Sequence, residues 1–310
     1  MKNNLTLIIP EFFLETDSNL IKSWKNLNLL LARATVSSIE HDVENFVYSS
    51  FNNFDKNSLA ALLLTQLGVE LSDEWVSFAV PVNIQPNRNY LTIVNGNIID
   101  LSKEEGDSFV NELNLYFKEE GYKFYNYDNQ RWIVTSTHAL QSPEAKAADI
   151  VEQDIALYMP DVLSKSKLKN VFSDIQLMLH HSKTNMFRSQ NGKMEINSLW
   201  INGEGKKPEN ITTPLTNIYT DCNNLSALSS LVGLSVNQSE INASDSIKGN
   251  TLVYYPYGNF IDKFDDETFH QIFLEIKQGN INELTLITDN KIFSVTQSNL
   301  KKFWKRQFNL

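Results

Sequence analysis

Sulfur is scarce: Cys222 is the single cysteine in 310 residues. That excludes an internal disulfide and leaves too few thiolates for a structural zinc site, as expected for a reducing compartment. Positive charge is also short, with 27 Lys and Arg against 37 Asp and Glu, a net charge of −10 and a pI near 5.1. Broad electrostatic binding to nucleic acid or anionic lipid is therefore disfavoured. No apolar run approaches the roughly 20 residues that cross a bilayer. The opening MKNNLTLIIPEFF is too short in its apolar part for a secretory signal and has no small-residue cleavage site. A cytoplasmic location without membrane contact is expected. The sequence also lacks a G-x-S-x-G elbow, a P-loop and a dinucleotide fingerprint.

What is present suits a globular α/β protein of two domains. Hydrophobic residues make up 42% of the chain, enough for sizeable cores, and five tryptophans without low-complexity tracts argue against extensive disorder. Residues 5–9 read as a buried strand, and Leu20, Trp24, Leu27, Leu30 and Leu31 form a helical stripe over 18–34. A second helix is expected from Ser58 to Leu67, stopped by Gly68. From Trp75 the pattern turns strand-like, with Asn95-Gly96 signalling a tight reversal. Ser102 and Glu105 then form a capping box that opens a helix ending near Gly121, and YKFYNYDNQRWIVTS returns as strands. This strand, strand, helix, strand set predicts a smaller α/β domain, residues 75–195, inserted into a discontinuous α/β core of residues 1–74 and 196–310. Residues 170–183 carry an amphipathic helix. Further helices are expected over 221–232 and 265–278, and strands at TLVYYPY, ELTLIT and KIFSVT.

The segment Asn197–Pro208, NSLWINGEGKKP, runs an apolar strand into glycines and then lysines. Gly203 and Gly205 permit a sharp turn, and Lys206 and Lys207 add positive charge, the layout of an anion-facing loop. His180 and His181 are adjacent, so on a helix they point about 100° apart and cannot share one metal from the same face. His180 is a candidate acid/base or hydrogen-bonding group, set against a purely structural role. Asp266 and His270 share a helical face at i and i+4 but have no third ligand in view. The tail, where Lys301, Lys302, Lys305 and Arg306 surround Phe303 and Trp304, either packs on the body or meets a phosphate-rich partner.

Asn185 and Arg188 precede that segment, and together they spell N-x-x-R, then N-x-x-W-x-x-G-x-G-x-x-P. The pattern resembles the archaeal-type cofactor-independent phosphoglycerate mutases of the alkaline-phosphatase superfamily. It is closest to a bacterial offshoot described as RpfE-type regulatory protein, through DIQLMLH and the terminal KKFWKRQF. The resemblance implies a reduced alkaline-phosphatase-like core carrying the inserted domain. It also implies a ligand site drawn from Arg131, Asn185, Arg188, Asn197, Trp200, Gly203, Gly205 and Lys206, with Arg88 and Lys207 nearby, in an anion pocket between domains.

The same resemblance exposes replacements. Pro10 and Glu11 stand where the mutases carry Asp-Gly, and TLVYYPYGNFIDKF offers tyrosines and Asp262 where they carry a His- and Asp-rich metal cluster. A phenol is a poor ligand for a divalent pair. No serine nucleophile is recognisable between Gly68 and the insert. The expected function is that of a non-catalytic relative without a cofactor, binding a protein partner or a small phosphorylated or carboxylated ligand. The alternative is a phosphomutase or phosphohydrolase using two divalent ions and rearranged ligands such as Glu11, Asp262 and His270.

Overall fold

The protein is seen in a computed structural model that describes residues 2–10, 23–39, 43–94, 99–159, 167–238, 241, 247–256, 263–288, 291–302 and 304–305. These form two compact units, residues 1–54 with 210–310, and residues 55–209. The sequence reading placed the breaks after residues 74 and 195. The observed division differs because the helix Leu59–Gln66 packs on strands Trp75–Val82 and Ser198–Gly205, which pair with each other.

In the first unit, strands β1 (Asn4–Ile8), β2 (Thr35–Ser38), β9 (Asn217–Thr220), β10 (Val236–Asn237), β11 (Asn250–Tyr254), β12 (Glu283–Ile287) and β13 (Lys291–Thr296) build one sheet. Its order is β10-β9-β11-β1-β12-β13-β2. The first five run parallel, β13 is antiparallel to β12, and β2 is antiparallel to β13. Strand β1 lies centrally, with Leu5, Leu7 and Ile8 buried, as the apolar run of a two-sided parallel strand requires. Helix α1 (Lys25–Arg33), which precedes the shorter α2 (Val43–Ser49), packs against α8 (Asp266–Gln278) through Leu27, Leu30, Leu31, Phe269 and Ile276. Asp266 accepts from the backbone N–H groups of Asn26 at 2.8 Å and Leu27 at 3.3 Å, and His270 Nδ1 lies 3.2 Å from Asn26 Oδ1. That pair therefore secures the start of α1. Arg33 donates to the carbonyls of Leu300 and Lys305, so the described part of the tail is held on the body.

The second unit contains α3 (Leu59–Gln66), β3 (Trp75–Val82), β4 (Ile84–Asn87), β5 (Tyr90–Ile93), α4 (Lys103–Tyr116), β6 (Tyr122–Asp128), β7 (Arg131–Ser136), α5 (Lys167–His180), α6 (Lys183–Gln190) and β8 (Ser198–Gly205). Its main sheet is antiparallel in the order β6-β7-β3-β8, and β4 pairs with β5. Phe109, Leu113 and Phe117 from the α4 region and Ile175 and Leu179 from α5 bury one sheet face with Trp132, Val134 and Leu199. Trp200, Val82, Ile84 and Ile150 form a second cluster. The Ser102–Glu105 capping box is present as expected.

Several expectations change. The helix expected over 170–183 spans Lys167–His180, and Ser182 then caps α6 by accepting from Asn185 N. Gly203 and Gly205 do not open a loop; both lie within β8. The reversal expected at Asn95-Gly96 lies outside the described residues.

Candidate functional site

The residues of the N-x-x-R … N-x-x-W-x-x-G-x-G pattern come together in the second unit, each engaged by the chain itself. Asn185 is buried on α6 and donates to the carbonyls of Leu179 and Ile196 while accepting from Ile196 N at 3.0 Å. Its carboxamide joins the end of α5 to the entry of β8. Arg188 follows three residues later on the same helix and is 0% exposed. Its guanidinium donates to Met194 O from Nε and Nη2, and from Nη1 to Asp100 O at 2.8 Å and Glu105 Oε2 at 2.9 Å. Burial pushes the Glu105 carboxyl up, but the Ser102 backbone hydrogen bond and the charges of Arg188 and Lys193 together hold it below the usual range. Lys193 Nζ completes the cluster at 3.3 Å from both Glu105 oxygens. A depression of about 520 Å³ borders this cluster, lined by Asp100, Arg188, Gly192, Lys193 and Met194. Sequence reasoning missed Glu105 and Lys193 as partners of Arg188 because nothing local ties residue 105 to residue 188.

Along β8 the same holds. Asn197 accepts from Ile84 N at 2.7 Å and donates to Ile84 O at 2.8 Å, a two-bond clasp on β4. Trp200 is buried and its Nε1 donates to Ala145 O at 2.8 Å. Gly203 has φ +66° and lies where the β3–β8 register shifts between Val76 and Phe78, so it supplies the left-handed residue of a bulge. Its N–H donates to Pro143 O. Glu204 accepts from Leu140 N at 2.5 Å and Gln141 N at 2.9 Å. At Gly205 a Cβ would sit 2.3 Å from Asn57 O, so glycine is required by close backbone approach. The expected anion-facing glycine loop is thus corrected: these glycines shape a strand. Sequence reads the same residues either way, since a bulge and a ligand cradle both call for a glycine at positive φ.

The remaining candidates are scattered over this unit. Lys206 lies 2.5 Å from Asp73 Oδ1 and 4.9 Å over the Trp75 ring. Arg131 pairs with Asp128 at 2.8 Å and stacks 5.3 Å over Tyr127. Arg88 and Lys207 are exposed. His180 is exposed at the end of α5, its ring centroid 5.1 Å from that of His181.

In the first unit, the carboxyl ends of parallel strands are the general ligand edge of open α/β sheets. There Tyr254 and Tyr255 are buried at the end of β11. The Lys263 ammonium lies 5.2 Å over the Tyr255 ring and 3.8 Å from Asp221 Oδ2, just beyond β9. Asp221 Oδ1 is buried without a hydrogen-bond partner. Cys222 precedes α7 (Asn223–Leu231), and burial pushes its thiol up, away from nucleophilic character. Glu11 and Asp262 lie outside the described residues. Among the described residues no three His, Cys, Asp or Glu side chains converge as metal ligands. Among the described residues at this edge, an ammonium beside Asp221 and buried phenols are not the carboxylate and imidazole donor set of a divalent ion pair.

No protein-family model matches the chain. Over 144 residues it is 26% identical to a probable 2,3-bisphosphoglycerate-independent phosphoglycerate mutase of Geobacter sulfurreducens, covering 46% of this chain and 36% of that protein. The chain resembles the cofactor-independent phosphoglycerate mutases. The matched stretch spans about a third of that curated relative's length. Among solved structures, the cofactor-independent phosphoglycerate mutase of Thermoplasma acidophilum aligns with 14% identity and a TM-score of 0.48, over 100% of this chain and 94% of that one. The PH0037 protein of Pyrococcus horikoshii aligns with 11% identity and a TM-score of 0.46, over 100% and 91%. No helix among the described residues is long and apolar enough to cross a membrane.

Proposed function

We propose that this protein is a non-catalytic relative of the cofactor-independent phosphoglycerate mutases that acts by binding, as a regulatory protein whose ligand is a small phosphorylated or carboxylated molecule. The observation that carries this reading is the Lys263 ammonium held over Tyr255 and beside Asp221 at the carboxyl edge of the parallel sheet. The ammonium is only loosely paired with Asp221, at 3.8 Å, so it retains donors for an anionic ligand. The pattern behind the resemblance supports the same reading, because Asn185, Arg188, Asn197, Trp200, Gly203 and Gly205 serve the architecture of the second unit. Likeness of scaffold then persists while Pro10, Glu11 and the tyrosines replace what the mutases carry. A cytoplasmic place of action, with a protein partner reading out the bound state, completes the proposal.

The test is thermal unfolding of metal-stripped protein with 3-phosphoglycerate, alone and with Mn²⁺, Mg²⁺ or Zn²⁺. A midpoint that rises with 3-phosphoglycerate alone supports the binding role. A midpoint that rises only when metal is added overturns it and restores phosphoryl transfer.

A further inference from the structure

Strand β6 forms one edge of the antiparallel sheet of the second unit. An edge strand presents alternate N–H and C=O groups outward, ready to pair with another chain. At its centre those groups are already taken. Phe124 N donates to Asn114 Oδ1 at 2.8 Å, and Asn114 Nδ2 donates to Phe124 O at 2.9 Å. The carboxamide of Asn114, reaching down from α4, thus reproduces the two bonds that a neighbouring strand would make. Because both bonds are satisfied in one orientation, the amide assignment follows from the geometry. Alternation places the backbone groups of Tyr122 and Asn126 on the same outer side, and the side chain of Asn126 is tied to Asp107 at 2.7 Å.

We infer that Asn114 seals the β6 edge against pairing with a second copy of this chain. The strand suits such pairing when unsealed. Antiparallel pairing centred on Phe124 sets Tyr122 against Asn126 and Lys123 against Tyr125, repeating between copies the Lys123–Tyr125 cation–π contact already present at 5.2 Å. Pro is absent from β6, and Lys123 is its single cation, so the strand itself carries little else that discourages pairing. Ordinary helix chemistry gives no reason for Asn at residue 114, since Asn is a weak helix former in a helix interior. The inference stands apart from the proposed function and requires no ligand.

Amide hydrogen exchange read at Phe124, together with sedimentation of the full chain over a range of concentrations, tests it. In Asn114→Ala the Phe124 amide is expected to exchange roughly five- to tenfold faster at low concentration. Protection should return, with a dimer in sedimentation, as concentration rises. Asn114→Asp keeps the acceptor for Phe124 N but loses the donor to Phe124 O, so Phe124 N stays protected and, because pairing centred on Phe124 needs that N–H, no dimer forms. Asn111→Ala, exposed one turn earlier on α4, is expected to change neither readout. Unchanged exchange at Phe124 in Asn114→Ala overturns the seal. Fast exchange without dimer at any concentration overturns the second copy as its occupant.

Discussion

Arg188 and Glu105 form a buried ion pair, 2.9 Å between Nη1 and Oε2 with the arginine side chain fully covered. Two charges this deep contribute only when each is completely hydrogen-bonded, and here the guanidinium also serves the carbonyls of Met194 and Asp100. Glu105 in turn caps α4. One pair therefore ties α4, α6 and the approach to β8 together.

Arg188→Met is expected to destabilise the protein by about 3–5 kcal/mol, because it leaves the Met194 and Asp100 carbonyls without their donor and Glu105 with only Lys193 and the Ser102 amide. Arg188→Lys should recover little, since an ammonium cannot reproduce the fork. Chemical denaturation checks both. A variant that unfolds like the wild type but no longer binds 3-phosphoglycerate would instead make Arg188 a ligand residue.

Acid should weaken the same clasp. The folded Glu105 carboxyl lies below its usual range, so its contribution is fully present above the unfolded pKa, about 4.3, and is lost as pH falls through the lower folded value. Glu105→Gln retains the capping-box geometry but removes the charge. Stability measured between about pH 6 and pH 3 should therefore fall less steeply in Glu105→Gln than in the wild type. Parallel profiles would contradict the assignment.

The two glycines of β8 should respond unequally. Gly205→Ala places Cβ 2.3 Å from Asn57 O, a backbone atom that cannot swing aside, and should cost roughly 3 kcal/mol or more. Gly203→Ala meets Phe78 Cδ2 only at 3.6 Å and suffers mainly from φ +66°, about 1–2 kcal/mol. The order of the two midpoints in denaturant checks this.

Lys263→Met should leave stability within about 1 kcal/mol, since its pairing with Asp221 is partly exposed and long at 3.8 Å. Calorimetric titration with 3-phosphoglycerate should show affinity lost in this variant. Equal affinity in the two proteins would remove Lys263 from the ligand site.

Much of the architecture was legible in the sequence because local chemistry dictates it. The Ser102–Glu105 capping box, the β12–β13 pair and the strand TLVY all carry their signals within a few residues. What escaped depends on contacts distant in sequence. Strand β2, TVSS, is exposed at all four residues and has no apolar alternation to reveal it; it exists because β13 offers an edge. Helix α6 has little apolar periodicity, and its place is set by Ser182, Asn185 and Arg188. The glycine strand was read as a ligand loop because sequence does not show that Asn57 lies against Gly205. Lys263 drew no notice because it meets Asp221 and Tyr255 only when β9 and β11 lie side by side.

The measurement closest to the central claim is turnover of 3-phosphoglycerate to 2-phosphoglycerate by the full chain, supplied in turn with Mn²⁺, Mg²⁺ and Zn²⁺. The proposed binding role predicts no conversion above the protein-free rate under any of them. Metal-dependent conversion that disappears in Glu11→Gln would contradict it and establish a mutase built on rearranged ligands.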